Sequence, residues 1–265
     1  MDPSLSNLLY ESPELYEEVY PDTETAIPAM CVRLIGEHGT VPERSLLDIG
    51  CGTGRHAEYF TRAGFDCVGV DYQDAMVAYA RKRRPGLDFH TGDMRALRLG
   101  RTFAAITCLG WALSNIHTND DLDRTVETFA AHSVPGTLLI LHVPNAIATP
   151  DGHALQQRFT IDTPGLTATA DARYRLDRRN QLLVRTREWR IGDRPPQRDH
   201  VRFRLTFPKE IEHYLGGHGF RVLGMYDNTR AADSDLTGPA LYVLARFAPE
   251  APGSGTGRAA TATPR

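Results

Sequence analysis

The sequence predicts an α/β fold: a doubly wound, mostly parallel sheet carrying an antiparallel insertion. Two patterns predict it. Between residues 46 and 144 short apolar runs alternate with longer helical stretches, the signature of βαβ units whose right-handed crossovers cover both faces of a parallel sheet. Between Arg158 and Leu205 the period changes, and apolar and polar residues tend to alternate as in half-exposed antiparallel strands.

Residues 1–40 read as an N-terminal helical cap of one or two helices, with Leu8, Leu9, Leu15, Tyr16, Val19 and Tyr20 as its apolar and aromatic positions. The main domain is expected over residues 41–248. LLDIG is a first strand ending in glycine, and CGTGRHAEYFTRAGF a glycine turn feeding a helix. DCVGVD, LDFHTGD and TFAAITCLG read as further strands, with DAMVAYARKRR a helix among them. DDLDRTVETFAAH follows as a helix, with Asn119 or Asp120 expected to cap it. SVPGTLLILHVP is a turn and the most apolar strand. The insertion, about 150–207, should hold two to four strands broken at RRN and GDRPPQ. FPKEIEHYLGGHGF is a helix with Pro208 in its first turn and glycines at its end. FRVLGMYDN and GPALYVLARF are the last two strands, and residues 249–265, rich in Pro, Gly, Ala and Thr, are expected to be a disordered tail.

The 265 residues suffice for one sizeable α/β domain, and 41% hydrophobic with 24% charged residues is ordinary for a globular chain. A net charge of -3 gives no electrostatic footprint for nucleic acid or an anionic membrane. Cys31, Cys51, Cys67 and Cys108 form no CxxC pair and have no histidine at zinc-finger spacing, so no metal site is expected. The acidic, proline-broken start is unlike a signal peptide, and no apolar run approaches the ~20 residues of a membrane span. A cytoplasmic protein acting on a small molecule is expected, with a homodimer a compatible assembly.

The sharpest signal is Leu46-Leu47-Asp48-Ile49-Gly50-Cys51-Gly52-Thr53-Gly54. A glycine turn between a strand and a helix lets a ligand approach bare backbone, where the helix start offers free N–H groups. The dinucleotide fingerprint spaces its glycines GxGxxG for a pyrophosphate; here they run GxGxG behind Asp48, and a carboxylate so placed suits an ammonium group better than phosphates. Asp71 ends the next strand, where an acidic side chain can accept ribose hydroxyls, and Tyr72 follows it. Gly92-Asp93-Met94 ends the third strand, where a carboxylate can meet an adenine amino group.

These three sites resemble the class I S-adenosylmethionine (SAM)-dependent methyltransferases, which are Rossmann-like, over about residues 40–145. The resemblance implies S-adenosyl-L-methionine as cofactor, with the Gly50–Gly54 loop against its methionine moiety, Asp71 on the ribose, and Asp93 with Met94 on the adenine. It also implies that Leu109–Trp111, after the fourth strand, face the sulfonium and its methyl. Arg55 and His56 either touch the cofactor carboxylate or simply cap the helix, and Met76 is core or adenine wall. The stretch ARKRRPGLDFHTGDMRALRLGRTFAAITC, the YEEVY-type N-terminus and the insertion further resemble nucleotide-linked amino-sugar N-methyltransferases of antibiotic biosynthesis. That implies an amine acceptor bound partly by the inserted strands, whose Arg173, Arg175, Arg185, Arg187, Arg202 and Arg204 either bind phosphates or alternate on an exposed face.

Ligands of open α/β sheets bind beyond the carboxyl ends of the strands, so acceptor groups are expected from the cap, the segment after the fourth strand and the insertion. Tyr10, Tyr16 and Tyr20 either close over the cofactor or pack. Trp111, Ser114, Asn115 and His117 are substrate-binding candidates. His142 is a candidate to orient or deprotonate the acceptor, with a satisfied sheet-end histidine as the plain alternative.

Overall fold

The computed structural model describes residues 6–20, 25–149, 157–163 and 166–249. The expected tail from residue 250 and the start of the insertion, 150–156, lie outside the described residues.

Seven strands form one twisted sheet in the order β3-β2-β1-β4-β5-β11-β10. They are β1 (Ser45–Ile49), β2 (Asp66–Asp71), β3 (Asp88–Thr91), β4 (Phe103–Cys108), β5 (Ser133–Pro144), β10 (Phe220–Tyr226) and β11 (Ala240–Phe247). All run parallel except β11, which pairs antiparallel with both β5 and β10. β1 and β4 are buried along their whole length, which is why they read as mostly apolar runs. The chain winds outward from β1 to β3 and then returns to β4 on the other side of β1. The order therefore reverses between β1 and β4, and a crevice opens beyond their carboxyl ends.

Helices cover both faces. On one side α3 (Ala26–His38), α4 (Arg55–Arg62) and α5 (Asp74–Arg83) pack Met30, Leu34, Phe60 and Val77 against Leu46, Leu138 and Ile140. On the other α6 (Asn119–Ala131) and α7 (Pro208–Gly217) bury Val126, Phe129, Ile211 and Leu215 over Leu47, Ile106 and Leu139. The cap of α6 is Thr118, one residue before the expected pair: its side chain accepts the Asp121 N–H at 3.1 Å, so the helix begins at Asn119.

The insertion is a second, four-stranded antiparallel sheet, β6 (Gln157–Thr163), β7 (Leu166–Asp177), β8 (Leu182–Ile191) and β9 (Gln197–Arg204), in chain order. The N-terminal segment forms α1 (Leu8–Glu11) and α2 (Pro13–Val19) ahead of α3. Leu9 and Leu15 share an apolar cluster with Ile161, Ala170 and Trp189 of the inserted sheet. Beneath it Arg187 and Asp199 pair at 2.6 Å, and Arg187 also donates to the Asn7 side-chain oxygen at 2.8 Å. The first helices and the inserted sheet thus hold each other above the switch point.

Candidate active site

The glycine loop follows from the burial of β1. The Gly50 and Cys51 N–H groups both donate to the Val70 carbonyl, so the chain leaves β1 still tied to β2. Gly50, Gly52 and Gly54 all have positive φ, but for different reasons. A Cβ on Gly50 would lie 2.3 Å from the Ala112 side chain, and one on Gly54 2.5 Å from the Phe89 ring. These two glycines let the loop pack. A Cβ on Gly52 would meet nothing within 4 Å, so this is the glycine whose backbone borders open space. Helix α4 starts at Arg55, behind Gly54, with no side-chain cap on its first N–H groups.

Asp71 is brought to that loop. Its Oδ2 accepts the Gly52 N–H at 2.8 Å and its Oδ1 the Gln73 N–H at 2.9 Å. Burial raises its pKa, while these backbone bonds oppose the rise. A carboxylate oxygen accepts more than one hydrogen bond, so the fixed group retains lone pairs for hydroxyls. Tyr72 beside it is exposed, and Met76 is fully buried, a core residue at this position.

Asp48 sits lower than expected. It is 1% exposed, within β1, and its Oδ1 accepts the Thr107 hydroxyl at 2.7 Å, while Oδ2 has no hydrogen-bond partner among the described residues. Burial, together with the charge of Asp71, raises its pKa to about 7 against the lowering by Thr107. Asp48 therefore acts from beneath the loop, as a buried charge and orphan acceptor. Asp93 stays part-exposed, and Arg95 grips both its oxygens, at 2.5 and 2.9 Å, and pulls its pKa down. Met94 packs against the large core cluster beside it.

Two expectations need correction. Arg55 neither reaches toward the crevice nor caps its helix. Its guanidinium is bound to the Glu17 carboxylate at 2.8 Å and to the Tyr20 carbonyl, tying the N-terminal segment to α4. The cation stacked on Tyr16, 5.7 Å from the ring centre, is this arginine. Tyr16 and Tyr20 lie 5.2 Å apart, and burial pushes the Tyr16 phenol up, so it is no base. The other correction concerns His142 as a proton acceptor. Its Nε2 already accepts the Trp111 indole N–H at 3.2 Å, its ring stacks on Tyr242 at 4.6 Å, and burial depresses its pKa to about 4. A neutral imidazole whose basic nitrogen is occupied serves as an anchor.

That anchor holds the segment after β4. Leu109 is buried, Gly110 and Trp111 both take the left-handed conformation, and the Trp111 N–H donates to the His142 carbonyl. The indole meets the Phe203 ring of β9 edge-on at 5.8 Å. Ser114 is buried, and its hydroxyl has no hydrogen-bond partner among the described residues. Asn115 bonds the Ala112 carbonyl and approaches the Tyr10 phenol. His117 is drawn away to the Arg202 carbonyl at 2.9 Å.

The inserted sheet packs on this segment through Phe203. Strand register puts Tyr174, Arg185 and Phe203 on one face, and Arg175, Val184 and Arg202 on the other. Tyr174 and Phe203 of the first set pack with Trp111, and Arg185 lies over the Phe203 ring. The second borders a separate cleft of about 630 Å³ on the far face. Thr107, Gln73, Tyr174 and Phe203 were not among the candidates expected at the site, whereas Arg185 was one of six inserted arginines offered as phosphate ligands. The alternation that reveals β8 does not say which face turns inward.

Residues 46–136 match the family model described as a methyltransferase domain. The stretch is 40% identical over 97 residues to the dTDP-3-amino-3,4,6-trideoxy-alpha-D-glucopyranose N,N-dimethyltransferase of Streptomyces venezuelae, covering 37% of this chain and 41% of the relative. It is 39% identical over 102 residues to the dTDP-4-amino-2,3,4,6-tetradeoxy-D-glucose N,N-dimethyltransferase of Saccharopolyspora spinosa, covering 38% and 41%. The matched segment thus spans about two-fifths of these curated relatives. Among solved structures, a SAM-bound amino pentose methyltransferase from Micromonospora echinaspora superposes with a TM-score of 0.72 at 26% identity, over 88% of this chain and 96% of that one. A sugar N-methyltransferase from Streptoalloteichus gives a TM-score of 0.77 at 21% identity, over 92% and 96%. The fold is that of the class I SAM-dependent methyltransferases. No helix among the described residues is long and apolar enough to cross a membrane.

Proposed function

We propose that this chain, whose residues 46–136 match a methyltransferase domain, is an enzyme that transfers a methyl group from SAM to the amine of a small molecule, an amino sugar of natural-product biosynthesis. The observation that carries the reading is the Gly52–Asp71 pair: a glycine whose missing side chain leaves open space just ahead of an uncapped helix, its N–H fixed to a carboxylate at the end of the neighbouring strand. The relatives that act on nucleotide-linked amino sugars support the choice of acceptor.

The residues present suit this cofactor. Gly52 leaves room for it, Asp71 keeps lone pairs for its ribose, and the orphan oxygen of Asp48 supplies negative charge below an ammonium group. When bound, SAM supplies a methyl already activated on a sulfonium. The work left to the chain is alignment and exclusion of water, a contribution of ~7–11 kcal/mol when geometry is well held. Trp111, latched to His142, forms one wall of the acceptor chamber, and Tyr10, Tyr174 and Phe203 form the others. No base is needed for an amine that arrives unprotonated, which agrees with the low pKa of His142.

The test is calorimetric titration with S-adenosylhomocysteine (SAH), followed by incubation with SAM and a panel of amino-sugar nucleotides, simple amines and phenols. Binding of SAH and a gain of one or two methyls on an amino sugar is the expected result. Absence of SAH binding overturns the cofactor assignment, and turnover of phenols alone overturns the amine assignment.

A further inference from the structure

Helix α5 runs out in four consecutive cations, Arg81-Lys82-Arg83-Arg84, a pattern that suits a solvated helix end. Lys82 and Arg83 behave so and are exposed. Arg81 and Arg84 instead bond the backbone of other segments. Arg81 donates twice to the Phe89 carbonyl of β3, at 2.6 and 3.0 Å. Arg84 closes the helix through its own N–H, which donates to the Ala80 carbonyl at 2.8 Å, and Pro85 follows it. Its side chain, 10% exposed, crosses to the glycine loop. One terminal nitrogen donates to the Thr53 carbonyl at 2.9 Å, while Nε donates to the Glu58 carboxylate at 2.7 Å.

The loop needs such a donor. Three glycines within five residues give it many alternative conformations, so its neighbours must impose its shape. Its N–H groups are satisfied close by: Gly50 and Cys51 on the Val70 carbonyl, Gly52 on Asp71, Gly54 on the Cys51 carbonyl. The Thr53 carbonyl is placed differently. Helix α4 begins its backbone ladder with the Glu58 N–H donating to the Gly54 carbonyl at 3.0 Å, so Thr53 stands one residue ahead of it. Thr53 is 2% exposed, and a buried carbonyl deprived of its donor is costly. Arg84 supplies that donor from 31 residues away, with its charge balanced by Glu58 in α4. Arg81 holds the carbonyl of Phe89, whose ring is the one Gly54 packs against. The last turn of α5 thus secures both the residue before Gly54 and the ring beside it.

We propose that Arg84 is a positioning residue of the cofactor site: anchored on Glu58, it donates to the Thr53 carbonyl and holds the glycine loop in the shape that receives SAM. The inference rests on the methyltransferase reading above and adds to it a residue outside the glycine and strand-end motifs. Two side chains then fix the loop, Asp71 at the Gly52 N–H and Arg84 at the Thr53 carbonyl. Arg84 acts through the loop, so its loss should appear as weaker cofactor binding by a folded protein. The planar fork matters, because it reaches a carbonyl and a carboxylate at once.

The experiment titrates the full chain with SAH by calorimetry and follows amide hydrogen exchange of residues 46–60 by mass spectrometry without ligand. Wild type is compared with Arg84→Met, Arg84→Lys and Arg62→Met, each checked for folding by thermal unfolding. Arg62 is the control, because it binds the same Glu58 from the solvent side and is 77% exposed. Arg84→Met should weaken SAH at least tenfold and speed exchange in the loop. Arg84→Lys keeps the charge beside Glu58 but lacks the fork, so it should recover part of the loss. Arg62→Met should stay within twofold of wild type. An Arg84→Met affinity within twofold of wild type overturns the proposal. So does an equal loss in Arg62→Met, which would trace the effect to Glu58 and not to the Thr53 bond. Should Arg84→Met fail to fold, Arg84→Lys decides: affinity within twofold of wild type overturns the proposal, and a larger loss with faster loop exchange supports it. A wild type that binds no SAH fails the methyltransferase reading instead. Loop exchange then still tests Arg84, since unchanged exchange in Arg84→Met overturns its role, and the two failures are separable.

Discussion

The indole N–H of Trp111 donates to Nε2 of His142 at 3.2 Å, and the backbone N–H of Trp111 donates to the His142 carbonyl. This double latch holds a tryptophan in the left-handed region, at φ 64°, where a non-glycine residue is strained by about 1–3 kcal/mol. The strand end supplies the support, and the chamber receives a fixed wall.

His142→Phe should therefore lower turnover severalfold by freeing the indole, while SAH affinity stays unchanged. The pH–rate profile between pH 5.5 and 8 should keep its shape in the variant, because a histidine with a pKa of about 4 does not titrate there. Loss of an ionisation from the profile would restore the base role. Stability carries a second signature. The folded pKa lies below the ordinary value of 6.5, so the stabilising contribution is present above pH 6.5 and is lost as pH falls toward 4. Thermal unfolding of His142→Phe should show a shallower loss over that window.

Gly50 and Gly52 should separate under substitution. Gly52→Ala incurs only the left-handed strain, about 1–2 kcal/mol, yet its methyl enters the open space, so SAH affinity should collapse while the protein stays folded. Gly50→Ala adds a clash with Ala112 and should lower the unfolding temperature by clearly more. Calorimetry and thermal unfolding on the pair decide the matter.

Asp71→Ala removes the acceptor of two backbone N–H groups as well as the carboxylate. SAH affinity should fall at least tenfold, roughly 1.4 kcal/mol or more. An unchanged affinity would relocate the ribose.

Asp48 gives a pH-dependent stability of opposite sign to His142. Its pKa, about 7, lies above the ordinary carboxylate value, so its stabilising contribution is complete below about pH 4 and declines as pH rises through 7. Asp48→Asn should therefore gain stability relative to wild type at pH 8 and little at pH 5, measured by denaturant midpoints.

Asp199→Ala should strand Arg187, whose side chain is 0% exposed, and destabilise the inserted sheet by about 3–5 kcal/mol. Because Arg187 and Asp199 also bind Asn7 and the Leu8 N–H, hydrogen exchange in α1 should rise with it.

The parallel sheet was legible because burial on both faces writes itself as short, mostly apolar runs, as in LLDIG and LLILHVP, and the glycine loop because positive φ and close packing demand glycine locally. Asp71 was legible for the same reason: its position at a strand end is fixed by the chain around it. What tertiary structure alone decided was which partner each polar side chain takes. Arg55 turned to Glu17, Asp93 to Arg95 and His142 to Trp111 through contacts between segments remote in the sequence, except for Asp93 and Arg95. Likewise, alternation located β8 but left the inward face open, because a period of two looks the same from either side. Only the packing of Phe203 on Trp111 set Arg185 on the Trp111 side of the sheet and left Arg175 on the other.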